Sequence, residues 1–206
     1  MRRITGYITK GVTLILVLTM GIMCRKQYEN QFLLQQQLAE KVLRFHVVAN
    51  SDTPEDQQLK LQVRDAVGGY MQEKMKDVCS KEECQNIVVE EIPHIEQIAQ
   101  KVIEKKGYDY SVQAGLMTCE FPVKTYGRYT FPAGTYDALR VTIGEGDGKN
   151  WWCVMYPNMC FANSMYEVVD ETSENALRAV LDTEEYEAIL KKGNYEVRFW
   201  LLELFK

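Results

Sequence analysis

One short β-type run, "VLRFHVV", stops at "NSDTPED", and no further β-type run follows until Tyr108. This switch constrains the fold more than any other feature of the chain. Ser51, Asp52 or Thr53 can cap a helix, and Pro54 suits its first position. Glu55 and Asp56 then favour the positive end of its dipole. Leu59, Val63, Ala66 and Tyr70 recur at helical spacing and make one apolar face. A second helix is predicted from Lys81 to Lys106 on Val88, Ile92, Ile95, Ala99 and Val102. Pro93 should kink it and Gly107 should end it. Strands follow. "YDYSVQAGLMTCEF" is β-compatible, and "TYDALRVTIGEGDGKNWWCVMYP" reads as a hairpin turning at "GEGDGK". Leu139, Val141 and Ile143 alternate on one arm; Trp151, Cys153 and Met155 alternate on the other. "SENALRAVLDTEEYEAILKKGN" reads as one helix capped by Ser173 and closed by Gly193, and "YEVRFWLLELF" is β-type. The order β-α-α-β-β-β-α-β predicts an α+β fold: a single domain with a mixed, largely antiparallel sheet packed by about three helices. A length of 206 residues suits one domain with an appendage.

The appendage is N-terminal. Arg2, Arg3 and Lys10 precede "GVTLILVLTMGIMC", an uncharged apolar run. That is the pattern of an export signal, and the run is shorter than the ~18 residues of a comfortable membrane span. No A-x-A site follows, and Met23 stands where a lipoprotein cysteine at Cys24 would need a small residue. Residues 1–26 are therefore read as a signal peptide or signal anchor. Left uncleaved, they would tether the chain to a membrane. Residues 27–42 read as a helical spacer, and residues 43–206 as the globular domain. The first 26 residues hold five basic side chains and no acid, so a net charge of −5 becomes −10 without them. That balance argues against nucleic acid and against a polybasic membrane-binding surface.

Several stretches have a catalytic look. His46, Asn50, Ser51 and Asp52 lie close together in "FHVVANSD", and a cysteine hydrolase using Cys153 or Cys119 with His46 stands as the alternative to a non-catalytic reading. Neither cysteine sits in a hydrolase signature. G-x-S-x-G and H-E-x-x-H are absent, and "GEGDGKN" lacks the Lys-Ser/Thr of a phosphate loop. No catalytic group, metal ligand or cofactor is assigned. Cys153 and Cys160 flank Pro157 and form a possible disulfide; two buried thiols are the other reading. Lys60, Arg64 and Asp65 are either a solvated helix face or a polar patch facing the His46 strand. "FPVKTYGRYTFPAGTY" sets Tyr126, Arg128, Tyr129 and Phe131 among Gly and Pro. This reads as a loop whose aromatics either meet a partner or fold over the core.

"LRFHVVANSDTPEDQQLKLQVRDAV", "FPVKTYGRYTFPAGTYDALRVTIGEGDGKNWWCVMYPNMCF" and "YEVRFWLLELF" together resemble stage II sporulation protein R of endospore-forming bacteria. The resemblance runs from about Lys41 to the C-terminus and includes the basic-apolar leader. It implies a signal with no catalysis of its own. Such a protein is exported from the forespore into the intermembrane space. There it triggers a membrane-embedded aspartic protease, from its extracytoplasmic face, to process pro-sigma-E in the mother cell. On that expectation Tyr126, Arg128, Tyr129 and Phe131 are the first choice for the contact surface. His46, Asn50 and Asp52 are the second.

Overall fold

The computed structural model describes residues 2–159 and 171–190. Gly193, the "YEVRFWLLELF" strand and Cys160 lie outside the described residues. Within the described residues, five helices and six strands follow in the order α1 (Arg2–Lys41), β1 (Leu43–Val48), α2 (Pro54–Lys74), α3 (Lys81–Lys105), β2 (Val112–Phe121), β3 (Lys124–Tyr126), β4 (Tyr129–Phe131), β5 (Gly134–Ile143), β6 (Asn150–Tyr156), α4 (Glu171–Val180) and α5 (Thr183–Ile189). The class is the expected α+β with a mixed sheet.

Among the described residues, four strands form the main sheet in the order β2-β5-β1-β6. β1 runs parallel to β5 and antiparallel to β6, and β2 runs antiparallel to β5. The expected β5–β6 hairpin is therefore not formed, because β1 lies between its two arms. Alternation along two strands cannot reveal a third strand inserted between them. One face of the sheet packs against α2 and α3 through Phe45, Val47, Val63, Val67, Ile95, Ala99, Leu139 and Val141. The other face packs against the end of α1, the β3–β4 hairpin and α4–α5.

The helix starts obey local rules. Thr53 caps α2, its side chain accepting from the Asp56 N–H, with Pro54 in the first turn. Ser80 caps α3 in the same way through Glu83 N–H, and Gly107 takes φ +82° just past the end of α3. The C-terminal helical region is two helices. Asp182 caps α5 in a reciprocal capping box with Glu185, which breaks the run at residue 182. Ser173, expected as a cap, is instead a buried position inside α4.

Leader and spacer form one continuous helix, and its last two turns belong to the core. Leu38 and Val42 are fully buried. Gln35 Nε2 donates to the Thr135 carbonyl at 2.6 Å, Lys81 Nζ to the Ala39 carbonyl at 2.6 Å, and Lys41 Nζ pairs with the buried Glu185 at 2.6 Å. No helix among the described residues is long and apolar enough to cross a membrane.

With β1 between its arms, the 144–149 connection must pass over the C-terminal end of β1. Glu145 N–H donates to Asn50 Oδ1, Asp147 N–H to the Asn50 carbonyl, Gly148 N–H to the Ala49 carbonyl and Lys149 N–H to Asp52 Oδ1. A Cβ on Gly148 would sit 2.2 Å from the Ser51 carbonyl oxygen. Gly69, exposed inside α2, has nothing within 4 Å of such a Cβ. Gly148→Ala should therefore lower stability by about 2 kcal/mol or more. Gly69→Ala should raise it by about 0.5–1 kcal/mol. Urea unfolding of both variants with an unchanged slope checks the pair.

Candidate functional site

β1 carries the two least expected side chains of the core. Arg44 and His46 alternate with Phe45 and Val47, so both side chains face the α1 and hairpin side of the sheet. A strand patterned in this way ordinarily turns its polar face to water. Here Arg44 is 0% and His46 is 3% exposed.

Arg44 is held by aromatic rings rather than by a carboxylate. Its guanidinium carbon lies 4.3 Å from the Phe121 ring centre, 5.0 Å from Tyr136, 5.3 Å from Phe131 and 5.9 Å from Tyr126. Ring faces attract a cation, and more strongly once water is excluded. Nε donates to the Cys153 carbonyl at 2.9 Å and Nη2 to the Tyr126 hydroxyl at 3.0 Å, while Nη1 has no partner among the described residues. Burial pulls the guanidinium below its ordinary range, against the opposing pull of Tyr126 and Tyr136. Burial pushes the Tyr136 phenol up to about 12.

His46 stacks on Trp152 at 4.8 Å with an interplanar angle of 8°, and Phe121 flanks it at 5.3 Å. Neither ring nitrogen has a hydrogen-bond partner among the described residues. Burial, then Arg140, then Arg44 push its pKa down to about 4. In that setting the imidazole is held neutral and weakly basic, with no hydrogen bond among the described residues to orient it. Of its offered nucleophiles, Cys153 is disulfide-bonded and is no free thiol. Cys119 pairs with Tyr136, four residues along β5 from Arg140, the partner of His46. It is thus about 13 Å along the sheet and two strands away from His46. Neither pairing assembles the Cys–His couple of the alternative reading.

The strand-to-helix corner is a structural knot. Asp56, buried at the start of α2, accepts from Ser51 Oγ at 2.6 Å and from Asn50 Nδ2 at 2.9 Å. These hydrogen bonds hold its carboxyl below the usual range despite the opposing, larger effect of burial. Asn50 and Asp52 also hold the 144–149 loop, so all three polar residues of "ANSD" are engaged in hydrogen bonds within the fold. Lys60 is buried too, donating to the Lys149 carbonyl at 2.9 Å, and Arg64 lies 4.9 Å over Trp151 while pairing with Asp65. This is not a solvated helix face; the patch turns toward β6.

The 124–136 segment differs from the expected loop. β3 and β4 form a hairpin about Gly127, and Tyr129, Phe131 and Tyr136 point into the core. Tyr129 and Phe131 are thereby corrected from surface contacts to core residues. Aromatics spaced two apart on a short strand fill one face, and the Gly and Pro around them disguise the strand as a loop. Tyr126 is half-buried against Arg44. Arg128 remains outward and pairs with Glu174 of α4 at 2.6 Å. Glu174 also accepts from Tyr186, whose hydroxyl meets that of Tyr129 at 2.8 Å. The hairpin is thus bolted to α4 and α5. Of the contact residues expected from sequence, Arg128, Asn50, Asp52 and part of Tyr126 reach the surface, and they do not form one patch with the buried His46. Arg44 and Arg140 were missed. The signal for both was an arginine inside an apolar β run, "LRFHVV" and "ALRVTI".

Two measurements follow from this chemistry. The neutral form of His46 is favoured by folding, so its stability contribution is complete above pH 6.5 and is lost as pH falls toward 4. The loss amounts to about 3 kcal/mol, and urea unfolding between pH 7.5 and 4 should show the wild type losing that much stability relative to His46→Phe as the pH falls. At Arg44, replacing the buried charge by Met should leave stability nearly unchanged, whereas Arg44→Ala should cost about 2–5 kcal/mol through the cavity.

The comparisons with known proteins agree with one another. The family model described as stage II sporulation protein R matches residues 39–166. A stage II sporulation protein R from Bacillus subtilis (strain 168) is 37% identical over 180 residues, spanning 81% of this chain and 80% of that protein. No solved structure matches the chain.

Proposed function

The chain belongs to the stage II sporulation protein R family, and on that premise we propose that it is a sporulation signal. It is exported from the forespore into the intermembrane space. There it binds the extracytoplasmic face of the membrane-embedded protease that matures pro-sigma-E in the mother cell. The observation that carries this reading is the extent of the match, which covers β1, the hairpin and the sheet together and not one motif. The basic-apolar leader supports export, and the acidic domain behind it suits an extracytoplasmic ligand. The buried, unoriented His46 supports binding over hydrolysis.

A ligand activates a receptor by binding its active state more tightly than its inactive one. The rigid core described above fits that task, because a preorganised surface spends little free energy on ordering itself. Co-expression of this chain, the protease and pro-sigma-E in non-sporulating cells tests the reading. Maturation is expected only with all three present. Replacing Leu14, Leu16 and Leu18 by Arg should abolish it by blocking export while leaving the domain folded. Maturation without this chain, or unchanged maturation with the charged leader, would overturn the reading.

A further inference from the structure

Among the described residues, β2 is an edge strand of ten residues. Its free side is guarded at one end only. The Ala114 N–H points away from β5 and is taken by Glu96 Oε1 of α3 at 2.9 Å. By the period of a strand, Leu116, Thr118 and Glu120 present their backbone groups on the same open side. No helix side chain covers these among the described residues. The register with β5 is continuous from Val112 to Phe121, so no bulge twists the edge away, and no proline or lysine interrupts it. Proteins ordinarily blunt such an edge with those devices.

The side chains around this edge favour a strand of definite chemistry. Met117 is 41% exposed and Val123, just past the end of β2, is 58% exposed. Apart from Val89 on α3, they are the exposed large hydrophobic residues of the domain beyond α1, among the described residues. Gly115, Arg140, His46 and Trp152 form one row across the four strands. Gly115 has no side chain of its own between Arg140 and the edge; the flexible end of Met117 lies beside it, its Cε 3.1 Å from where a Cβ would stand, and must swing aside for a group to reach Arg140. Arg140 Nε is used by Thr142 Oγ1 at 3.1 Å, and Arg140 makes no ion pair among the described residues. A strand added beside β2 lies about 10 Å from β5, a span that a carboxylate and an arginine bridge together.

We propose that the Leu116–Glu120 edge of β2 is the docking surface for an extended segment of the partner protease. That segment adds a fifth strand, places an acidic side chain over Gly115 to pair with Arg140, and lays apolar side chains on Met117 and Val123. The backbone bonds give affinity, and the carboxylate with its apolar neighbours sets register. The proposal rests on the function proposed above and names the surface that carries it out.

The test uses the full chain in the same three-component co-expression. Thr118→Pro removes an outward N–H from the edge while leaving the bonds to β5, Met117→Lys places a charge on the edge, and Arg140→Glu reverses the cation. Each should lower pro-sigma-E maturation by about tenfold or more. Val89→Lys, on the exposed face of α3, should not. Urea midpoints of the purified variants verify folding, and if Thr118→Pro unfolds, the other two carry the test. Wild type that drives no maturation removes the proposed function and this surface with it. Wild-type activity that survives all the edge changes removes the surface alone. Sedimentation that shows a dimer lost in Thr118→Pro, with maturation intact, assigns the edge to a second copy of the chain and also overturns the proposal.

Discussion

The architecture depends on the placement of β1 between β5 and β6. Every residue of β1 is buried, and the strand is hydrogen-bonded on both sides. It is therefore the one element without which the two later strands have no shared neighbour. Three consequences follow physically. The 144–149 connection must climb over the end of β1, which demands glycine at 148 and the Asn50 and Asp52 acceptors beneath the loop. The face opposite α2 and α3 must accommodate Arg44 and His46, which the β1 register sets inward. And β2 is left as an outer strand of the sheet among the described residues.

The Arg44 cage shows how a charge can be kept in a core without a counter-ion. Four rings from β2, the hairpin and β5 converge on it, so the cation joins three segments that are distant in sequence. A hydrophobic residue of similar length would fill the same space. What the cation adds are two directional bonds, from Nε to the Cys153 carbonyl and from Nη2 to the Tyr126 hydroxyl, that a hydrocarbon side chain would lack. His46, next along the face, gains no such compensation. It stays neutral, and this makes the fold sensitive to mild acid.

The parts of the fold legible in sequence were those set by local rules. The helix starts at Thr53 and near Lys81, the stop at Gly107 and the β2 strand all follow from caps, dipoles and periodicity. Three features were not legible. The β5–β6 connection has the composition of a hairpin turn, and only non-local pairing shows that β1 intervenes. The 124–136 aromatics sit among Gly and Pro, so their inward direction depends on the hairpin register and on Arg44. The break between α4 and α5 had a readable sign, Asp182 three residues before Glu185, hidden within an otherwise continuous helical pattern. The candidate surface was obscured for a related reason: residue types that suggest binding, aromatics and histidine, were drawn into the core. The free edge of β2 is a property of topology and has no residue signature.

Hydrogen exchange on the full chain, free and bound to the protease, tests most directly the claim that a preformed sheet is read through its edge. In both states the amides of β1 should exchange slowest. On binding, the outward amides of Leu116, Thr118 and Glu120 should gain protection while those of α2 and α3 stay unchanged. Protection spread over other surfaces with the β2 edge unaffected, or β1 amides exchanging as fast as those of the outer strands, would contradict the account.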